Sequence, residues 1–382
     1  MTARKVDRGD TEVGCPVRRD ADGGWTITGY PAGRALLRES ATVQAGLGVE
    51  TVDKMPASIR RPVLYRDGPE HREHRRQTAR FFTPRRVDSY RGLMEHVADE
   101  QIARLRAAGT VDLADLSFKL AIDVTAAVIG LTESRPGIQR RLERFFPEKF
   151  GRPGFTSVNG IYWLFRQIAN WSRIYFGDVR PAVRARRTER RDDLISHLLD
   201  EGCKNTEILG ECLTFAAAGM VTTREFVVLV AWHMFTDDAL RRKYLAAAEP
   251  ERLGILHEII RLEPVIGQLR RRTTAEVVLP GAVVPKDAVV RVQLCTANLD
   301  PDVAGAEPLD LCPGRDMPDG GLSFGDGAHK CPGSHVAIME TDIFLSKLLA
   351  VEGIQMVSRP RVTFKEDIAT YELRGMRVSI AA

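Results

Sequence analysis

Apolar residues recur every three or four positions through much of this chain, which is the spacing of one face of an α-helix. The pattern is clearest in four stretches: "VDSYRGLMEHVADEQIARLRA" (87–107), "FKLAIDVTAAVIGL" (118–131), "IYWLFRQIANWSRIYF" (161–176) and "LISHLLDEG" (194–202). Shorter β-branched runs bounded by glycine or proline, at 274–294 and 361–380, predict small hairpins late in the chain. The sequence therefore predicts a mainly α protein with small β-sheets.

No repeat period or long low-complexity linker interrupts the 382 residues, so we expect a single domain over 1–382. The 55 basic and 51 acidic residues leave a formal net charge of +4, too near balance to indicate nucleic-acid binding. The N-terminal residues carry no apolar core of signal-peptide length, and no stretch approaches ~18 uncharged apolar residues, so we expect neither export nor a membrane anchor.

Six cysteines are scattered along the chain without a CxxC pair or zinc spacing, which argues against a disulfide framework or zinc site and favours a reducing cytoplasm. One of them, Cys331, ends a glycine-rich stretch, "FGDGAHKCPG" (324–333), that runs into the helix-like "SHVAIMETDIFLSKLLA" (334–350). At a helix N-terminus, unpaired N–H groups and the helix dipole favour a thiolate. The segment is therefore a candidate metal site, and the alternative is an inert small core residue.

This segment, together with Glu258 and Arg261 in "EIIR", resembles the cytochrome P-450 family. The family's haem-binding pattern is matched in register by Phe324, Gly327, Cys331 and Gly333, with Gly325 and His329 as further matches. The resemblance covers roughly residues 60–380. It implies a triangular helical prism that encloses haem b, with Cys331 as the thiolate ligand of the iron.

Glycines in this segment suit a loop that passes close to a flat macrocycle. Gly325 and Gly327 allow turns with positive φ, and Gly333 leaves room beneath the porphyrin. The family's Glu–Arg pair is buried and is joined by a third residue, an arginine that we expect near Pro308. That arginine is missing from "GAEPLDLCPGRD", so either Arg315 substitutes for it or the triad is incomplete.

The resemblance also assigns residues to the haem propionates, which are anions that require cations when they are partly buried. These are His71 and Arg75, four residues apart in "YRDGPEHREHRRQTARFF", with Arg271 and His329. Arg270 and Arg272 flank Arg271, so the register could slip by one residue. A purely structural histidine is the alternative for His329.

Three further arginines of that helix, Arg72, Arg76 and Arg80, lie on a neighbouring face. We interpret them as a basic patch for an acidic electron donor, since such patches speed encounter. An ordinary solvated helix face is the alternative.

The stretch "LTFAAAGMVTTREFVVLVAWHMF" resembles the family's oxygen-binding helix, and the resemblance places Ala218, Gly219 and Thr222 at the catalytic centre. Glycine in the middle of a helix is unfavourable, which suggests that Gly219 has a function. We interpret it as a position where the lack of a side chain lets dioxygen and substrate lie against the helix. Thr222 could bond the carbonyl four residues back and open the helix locally. The family's acid is replaced by Val221, which leaves ordered water, the substrate or Glu225 to relay protons.

The resemblance implies a soluble, monomeric, cytoplasmic monooxygenase that receives NAD(P)H-derived electrons through ferredoxin and ferredoxin reductase and uses O2. We expect a small, largely apolar substrate of secondary metabolism. The alternatives are oxidative coupling or ring formation, peroxide-driven oxidation, and a non-catalytic ligand sensor. We expect substrate contacts from segments 49–64 and 150–165, from Ala217 and Ala218, and from 265–269 and 368–370.

Overall fold

The computed structural model describes residues 4–6, 15–46, 48–52, 60–146, 154, 157–318, 320–365 and 369–381. Its α-helices are α1 Tyr30–Arg38, α2 Val49–Val52, α3 Gly68–Thr78, α4 Pro84–Ser89, α5 Arg91–Ala108, α6 Leu113–Ile129, α7 Ile138–Phe145, α8 Val158–Ile174, α9 Arg180–Thr188, α10 Leu194–Asp200, α11 Asn205–Phe215, α12 Thr222–Thr236, α13 Asp238–Ala246, α14 Glu249–Leu262, α15 Leu294–Ala297, α16 Pro301–Ala304 and α17 Ser334–Leu349. Short 3₁₀ turns form Val63–Tyr65, Ala79–Phe82 and Gly327–His329, and π-helical turns form Tyr175–Val179 and Ala216–Val221.

The strands are short: β1 Val17–Arg19, β2 Trp25–Ile27, β3 Thr42–Ala45, β4 Thr110–Asp112, β5 Gln268–Thr273, β6 Val277–Leu279, β7 Ala282–Val284, β8 Val289–Gln293, β9 Ile354–Met356, β10 Arg361–Lys365, β11 Thr370–Arg374 and β12 Arg377–Ile380. One sheet has the order β1-β2-β8-β5-β3, in which β2 and β8 are parallel. The smaller sheets are β4-β12-β9 and the hairpins β6-β7 and β10-β11. The mainly helical fold, the helices of the four periodic stretches and the two late hairpins are confirmed.

The main core lies where α12 packs against α6 and α17, and α5 packs against both α6 and α17. The α12 stretch from Phe226 to Ala231 is fully buried, which explains why its sequence is apolar on all sides. Local signals set the ends of α6. The Asp112 carboxylate accepts a hydrogen bond from the amide of Ala114 at the start, and Gly130 ends the helix with a left-handed φ of 93°.

The helix from Asn205 to Thr236 is long and apolar enough, by length and composition, to cross a membrane. Within the fold it is the central helix, and 61% of its most apolar window is buried inside the protein. Its hydropathy is therefore explained by the protein core.

Candidate functional site

The loop that carries Cys331 is held against α1. Gly325 and Gly327 have φ values of 68° and 67°, as predicted for turns that only glycine adopts readily. A side chain on Gly327 would collide with the carbonyl oxygen of Leu37. The Asp326 carboxylate accepts hydrogen bonds from the Gly327 amide at 2.7 Å and from the guanidinium groups of Arg34 and Arg38 at 3.0 and 2.9 Å. These contacts fix the loop before it reaches the cysteine.

Cys331 lies just before α17, and the backbone amide of Cys331 donates a hydrogen bond to the carbonyl of Phe324 at 2.8 Å. Burial raises the pKa of the thiol, while hydrogen bonds from the amides of Gly333 and Ser334 and the positive charge of Arg75 act in the opposite direction. Part of the cysteine surface nevertheless remains accessible. A Cβ added to Gly333 would meet no atom within 4 Å, so open space lies at Gly333, two residues after the cysteine.

Histidine and arginine side chains gather next to this loop. The imidazole rings of His71 and His329 stack with their centroids 4.0 Å apart and their planes at 17°. Arg271 is almost completely buried and donates to the side-chain carbonyl of Gln44 and to the carbonyl of Arg270. A carboxylate of the same cluster, Asp67, lies 2.9 Å from Nε2 of His329.

Positive charge exceeds negative charge in this cluster. Burial lowers the pKa of Arg271 to about 10, with Asp67 opposing the shift. Burial, followed by the neighbouring His329 and Arg75, lowers the pKa of His71 to about 4. Since His71 is therefore neutral near pH 7, the positive charge comes from Arg271 and Arg75, which is bound to the Lys330 carbonyl. Among the described residues a single carboxylate, Asp67, accompanies them in this cluster. An anionic ligand would complement this charge.

Among the three consecutive arginines of β5, the buried one is Arg271. Arg271 lies between Gln44 of β3 and Val290 of β8 and points inward, whereas Arg272 is exposed. Arg75 lies apart from Arg271 on α3, where it donates to the carbonyl oxygen of Lys330, directly before the cysteine. Arg75 and the His71–His329 pair therefore border the Cys331 loop, and Arg271 is linked to them through Asp67, the partner of His329.

Behind the cysteine loop lies a buried network around Glu258. Arg261 binds the Glu258 carboxylate through two hydrogen bonds of 2.7 and 2.9 Å. It also donates to the carbonyl oxygens of Asn298 and Pro308 at 3.1 and 2.9 Å. Nε of Arg315 lies 3.4 Å from Glu258 and thus fills the place of the missing third arginine.

The central helix is opened by a π turn at Ala216–Val221, between α11 and α12. The Thr222 hydroxyl donates to the carbonyl of Ala218, the bond that the sequence suggested. Ala218 is exposed and Thr222 is partly exposed, although the helix is the centre of the core. Single π turns within α-helices occur often at functional sites.

Two interpretations of this helix need correction. A Cβ on Gly219 would lie 2.8 Å from Oγ1 of Thr125. The side of the helix that lacks a side chain at Gly219 therefore faces α6 and allows the two helices to pack closely. Glu225 is buried and its carboxylate accepts from Arg224 at 2.8 Å, from Arg374 at 2.9 Å and from the Leu373 amide at 2.7 Å. Since these bonds tie Glu225 to β11, it is not placed to relay protons to Thr222.

The three arginines of the predicted basic patch, Arg72, Arg76 and Arg80, are exposed on and just after α3. Arg76 forms an exposed ion pair with Glu73 at 2.7 Å, and the guanidinium of Arg80 lies 4.8 Å from the centroid of the Phe81 ring. The patch is therefore accessible, and one of its charges is partly neutralised.

The predicted substrate segments are described only in part. Residues 53–59, 150–153, 155, 156 and 366–368 lie outside the described residues. Among the rest, Ala217 is partly exposed beside Ala218. The sequence reasoning did not include Asp67 or Gln44, which bind His329 and Arg271. Neither falls in a recognisable motif, and only the pairing of β3 with β5 brings Gln44 to the site.

Comparison with known proteins identifies the family. Residues 254–351 match the family model "Cytochrome P-450". The chain is 30% identical over 343 residues to cytochrome P-450 105C1 of a Streptomyces species, with 87% of this chain and 84% of that protein covered. It is 29% identical to the erythromycin C-12 hydroxylase of Saccharopolyspora erythraea, with 90% and 86% covered. The chain belongs to the cytochrome P-450 family.

A solved structure agrees with this assignment at the level of the fold. The crystal structure of P450BioI in complex with acyl carrier protein ligated to hexadec-9Z-enoic acid superposes with a TM-score of 0.78 at 20% identity, covering 96% of this chain and 95% of that one. The protein is accordingly a monooxygenase of the oxidoreductase class, with a haem cofactor, O2 as co-substrate, a small-molecule substrate and redox partners.

Proposed function

We propose that this chain would hold haem b through the thiolate of Cys331 and that it oxidises a small, largely apolar compound of secondary metabolism. The observation that carries the proposal is the excess of positive charge beside the cysteine loop. Arg75 donates to the carbonyl of Lys330, Arg271 is buried nearby, and the described part of the cluster holds one carboxylate, Asp67. The carboxylates of haem propionates would supply the missing negative charge. The open space at Gly333 suits a flat macrocycle next to the thiol.

Each group has a distinct task in this proposal. Cys331 would donate its thiolate, and His71, Arg75, Arg271 and His329 would bind the propionates. When bound, haem with a thiolate ligand supplies the chemistry of O–O bond cleavage. The Thr222 hydroxyl, which donates to the carbonyl of Ala218, could hold a proton, and Ala218 would form the wall beside it.

The proposed substrate class is drawn from the names of two similar proteins. One is named an erythromycin C-12 hydroxylase, and P450BioI was solved with a fatty acid ligated to acyl carrier protein. We infer that an apolar compound, free or attached to a carrier, is the substrate here. The electrons for the reaction would come from NAD(P)H through ferredoxin reductase and then ferredoxin, which would dock on Arg72, Arg76 and Arg80. The protein would act as a cytoplasmic monomer with a single domain.

A second candidate reaction is oxidative coupling or ring formation. It is favoured by Val221, which cannot carry a proton, and by the engagement of Glu225 with β11. With proton supply limited to water or to the substrate itself, reaction could end at hydrogen abstraction and bond formation rather than at oxygen insertion.

The experiment is substrate-dependent NAD(P)H consumption with a surrogate ferredoxin and reductase, combined with product analysis under labelled O2. A monooxygenase incorporates one labelled oxygen atom per product, and a coupling enzyme incorporates none. Absence of substrate-dependent consumption over a broad metabolite library would contradict both reactions and favour a sensor. Charge reversal of Arg72, Arg76 and Arg80 should slow reduction by ferredoxin but leave reduction by dithionite unchanged.

A further inference from the structure

The outer face of α8 carries large apolar side chains in the open. Their exposed fractions are 87% for Val158, 39% for Ile161, 55% for Tyr162, 66% for Phe165 and 54% for Ile168. At 100° per residue these five positions share one side of the helix. We refer to these five residues as the α8 stripe. Contiguous apolar patches on a soluble protein commonly mark an interaction site.

The opposite side of α8 already packs within the protein. The Asn170 side chain donates to the carbonyl of Arg144 at 2.9 Å, and the Trp171 ring meets the edge of Phe145 with centroids 5.7 Å apart. The α8 stripe is therefore additional to the packing face, and folding of the helix onto α7 does not explain it.

A basic surface continues from the stripe along the same helix. Through the π turn Tyr175–Val179, α8 runs directly into α9, which carries the exposed Arg184 and Arg187 and the half-buried Arg180. Within Val158–Ile174 and Arg180–Thr188 there is no aspartate or glutamate. Tyr175 accepts a hydrogen bond of 3.1 Å from Asn205, which fixes this long helix to the start of the central helix.

We propose that the α8 stripe and the arginines of α9 dock an acidic, helical carrier domain that brings the substrate as a tethered thioester. An apolar face on a helix of the carrier domain would cover the α8 stripe, and carboxylates beside that face would pair with the arginines of α9. The inference rests on the proposed function, because a carrier is useful only if this chain oxidises the group that it bears. Two copies of this chain would oppose arginine to arginine, which disfavours self-association as the use of this face.

The test is binding of the haem-loaded protein to an acidic bacterial acyl carrier protein loaded with hexadec-9Z-enoate, measured by fluorescence anisotropy. Phe165→Glu should weaken binding by about tenfold or more, because it places a charge at the centre of the apolar contact. Gln167→Glu is the matched control, since it adds the same charge at an exposed position on the other side of α8. Arg184→Glu should weaken binding and reduce its dependence on salt.

The outcomes separate this inference from the proposed function. The spectrum of the reduced carbon monoxide complex should be the same in all of these variants, since no substitution touches the cysteine loop. No binding by the wild-type protein, or equal weakening by Gln167→Glu, would overturn the docking surface and leave the haem assignment standing. A third outcome is that the wild-type protein binds phosphatidylglycerol vesicles but not the carrier protein, and that Phe165→Glu abolishes the vesicle binding. That result would overturn the carrier-docking proposal and assign the α8 stripe to a membrane surface.

Discussion

Nε of Arg315 lies 3.4 Å from the carboxylate of Glu258, the same carboxylate that Arg261 binds through two hydrogen bonds. Arg315 also donates to the carbonyl oxygens of Ala304, Glu307 and Asp310. The arginine expected near Pro308 is thus supplied from seven residues further along the chain. The network behind the cysteine loop is complete in spite of the missing motif residue.

Arg315→Ala should lower the free energy of unfolding by about 2–4 kcal/mol, because it leaves the buried Glu258 carboxylate with one arginine and removes the side-chain donor to the carbonyl of buried Ala304. The haem content of the purified variant should also be lower than that of the wild-type protein. Arg359→Ala, at an exposed position, is the control and should change neither quantity. Normal haem content and stability of Arg315→Ala would show that Arg261 alone maintains the network.

Arg271→Gln should weaken haem retention by about tenfold or more, since a charge-assisted hydrogen bond to a buried anion contributes roughly 1.5–3 kcal/mol. The measurement is the rate of haem transfer to apomyoglobin. Arg272→Gln removes the same charge from the next residue of β5, on its exposed side, and should leave the rate unchanged. Equal rates for the two variants would remove Arg271 from the propionate site.

Thr222→Ala should lower the product formed per NAD(P)H, because the hydroxyl that could hold a proton at the opened turn is lost. Thr214→Ala deletes a hydroxyl with the same kind of bond, 2.9 Å to the carbonyl of Gly210, two turns earlier in the helix. It should leave the product yield unchanged. If Thr222→Ala also leaves the yield unchanged, Thr222 is not the relay, and protons come through water or the substrate.

Glu211 connects the central helix with the segment before α3, since it accepts hydrogen bonds from the Val63 amide at 3.0 Å and from Arg66 at 3.1 Å. Burial raises its pKa to about 7, from 4.5. A raised pKa means that its contribution to stability is complete below pH 4.5 and is lost as the pH rises through 7.

Relative to the wild-type protein, Glu211→Gln should therefore become more stable by up to roughly 3 kcal/mol between about pH 5 and pH 8. Urea unfolding at the two pH values measures this difference. Glu95→Gln, at an exposed position, should show no such trend. A constant difference between Glu211→Gln and wild type would mean that Glu211 is ionised throughout this range.

The helices and the cysteine loop could be predicted because their signals are local. Apolar periodicity marks α5, α6, α8 and α10, and glycine at positive φ marks the turns at Gly325 and Gly327. The Thr222 bond follows from the i−4 geometry of a helix.

The remaining features depend on contacts between distant segments. Gly219 packs on Thr125, and Glu225 binds β11, 148 residues away in sequence. Helical spacing places Glu225 near Thr222, but it does not reveal which side chain finds a partner elsewhere. Gln44 and Asp67 have no motif of their own, because tertiary pairing alone brings them to Arg271 and His329.

The central claim is that Cys331 provides the thiolate ligand of the haem iron, and the spectrum of the reduced carbon monoxide complex tests it most directly. The wild-type protein should show the thiolate-type Soret band, and so should Cys312→Ser, which alters an exposed cysteine outside the loop. Cys331→Ser should lose that band even where haem is retained, because an alcohol cannot supply the thiolate. A thiolate-type band that persists in Cys331→Ser would contradict the assignment.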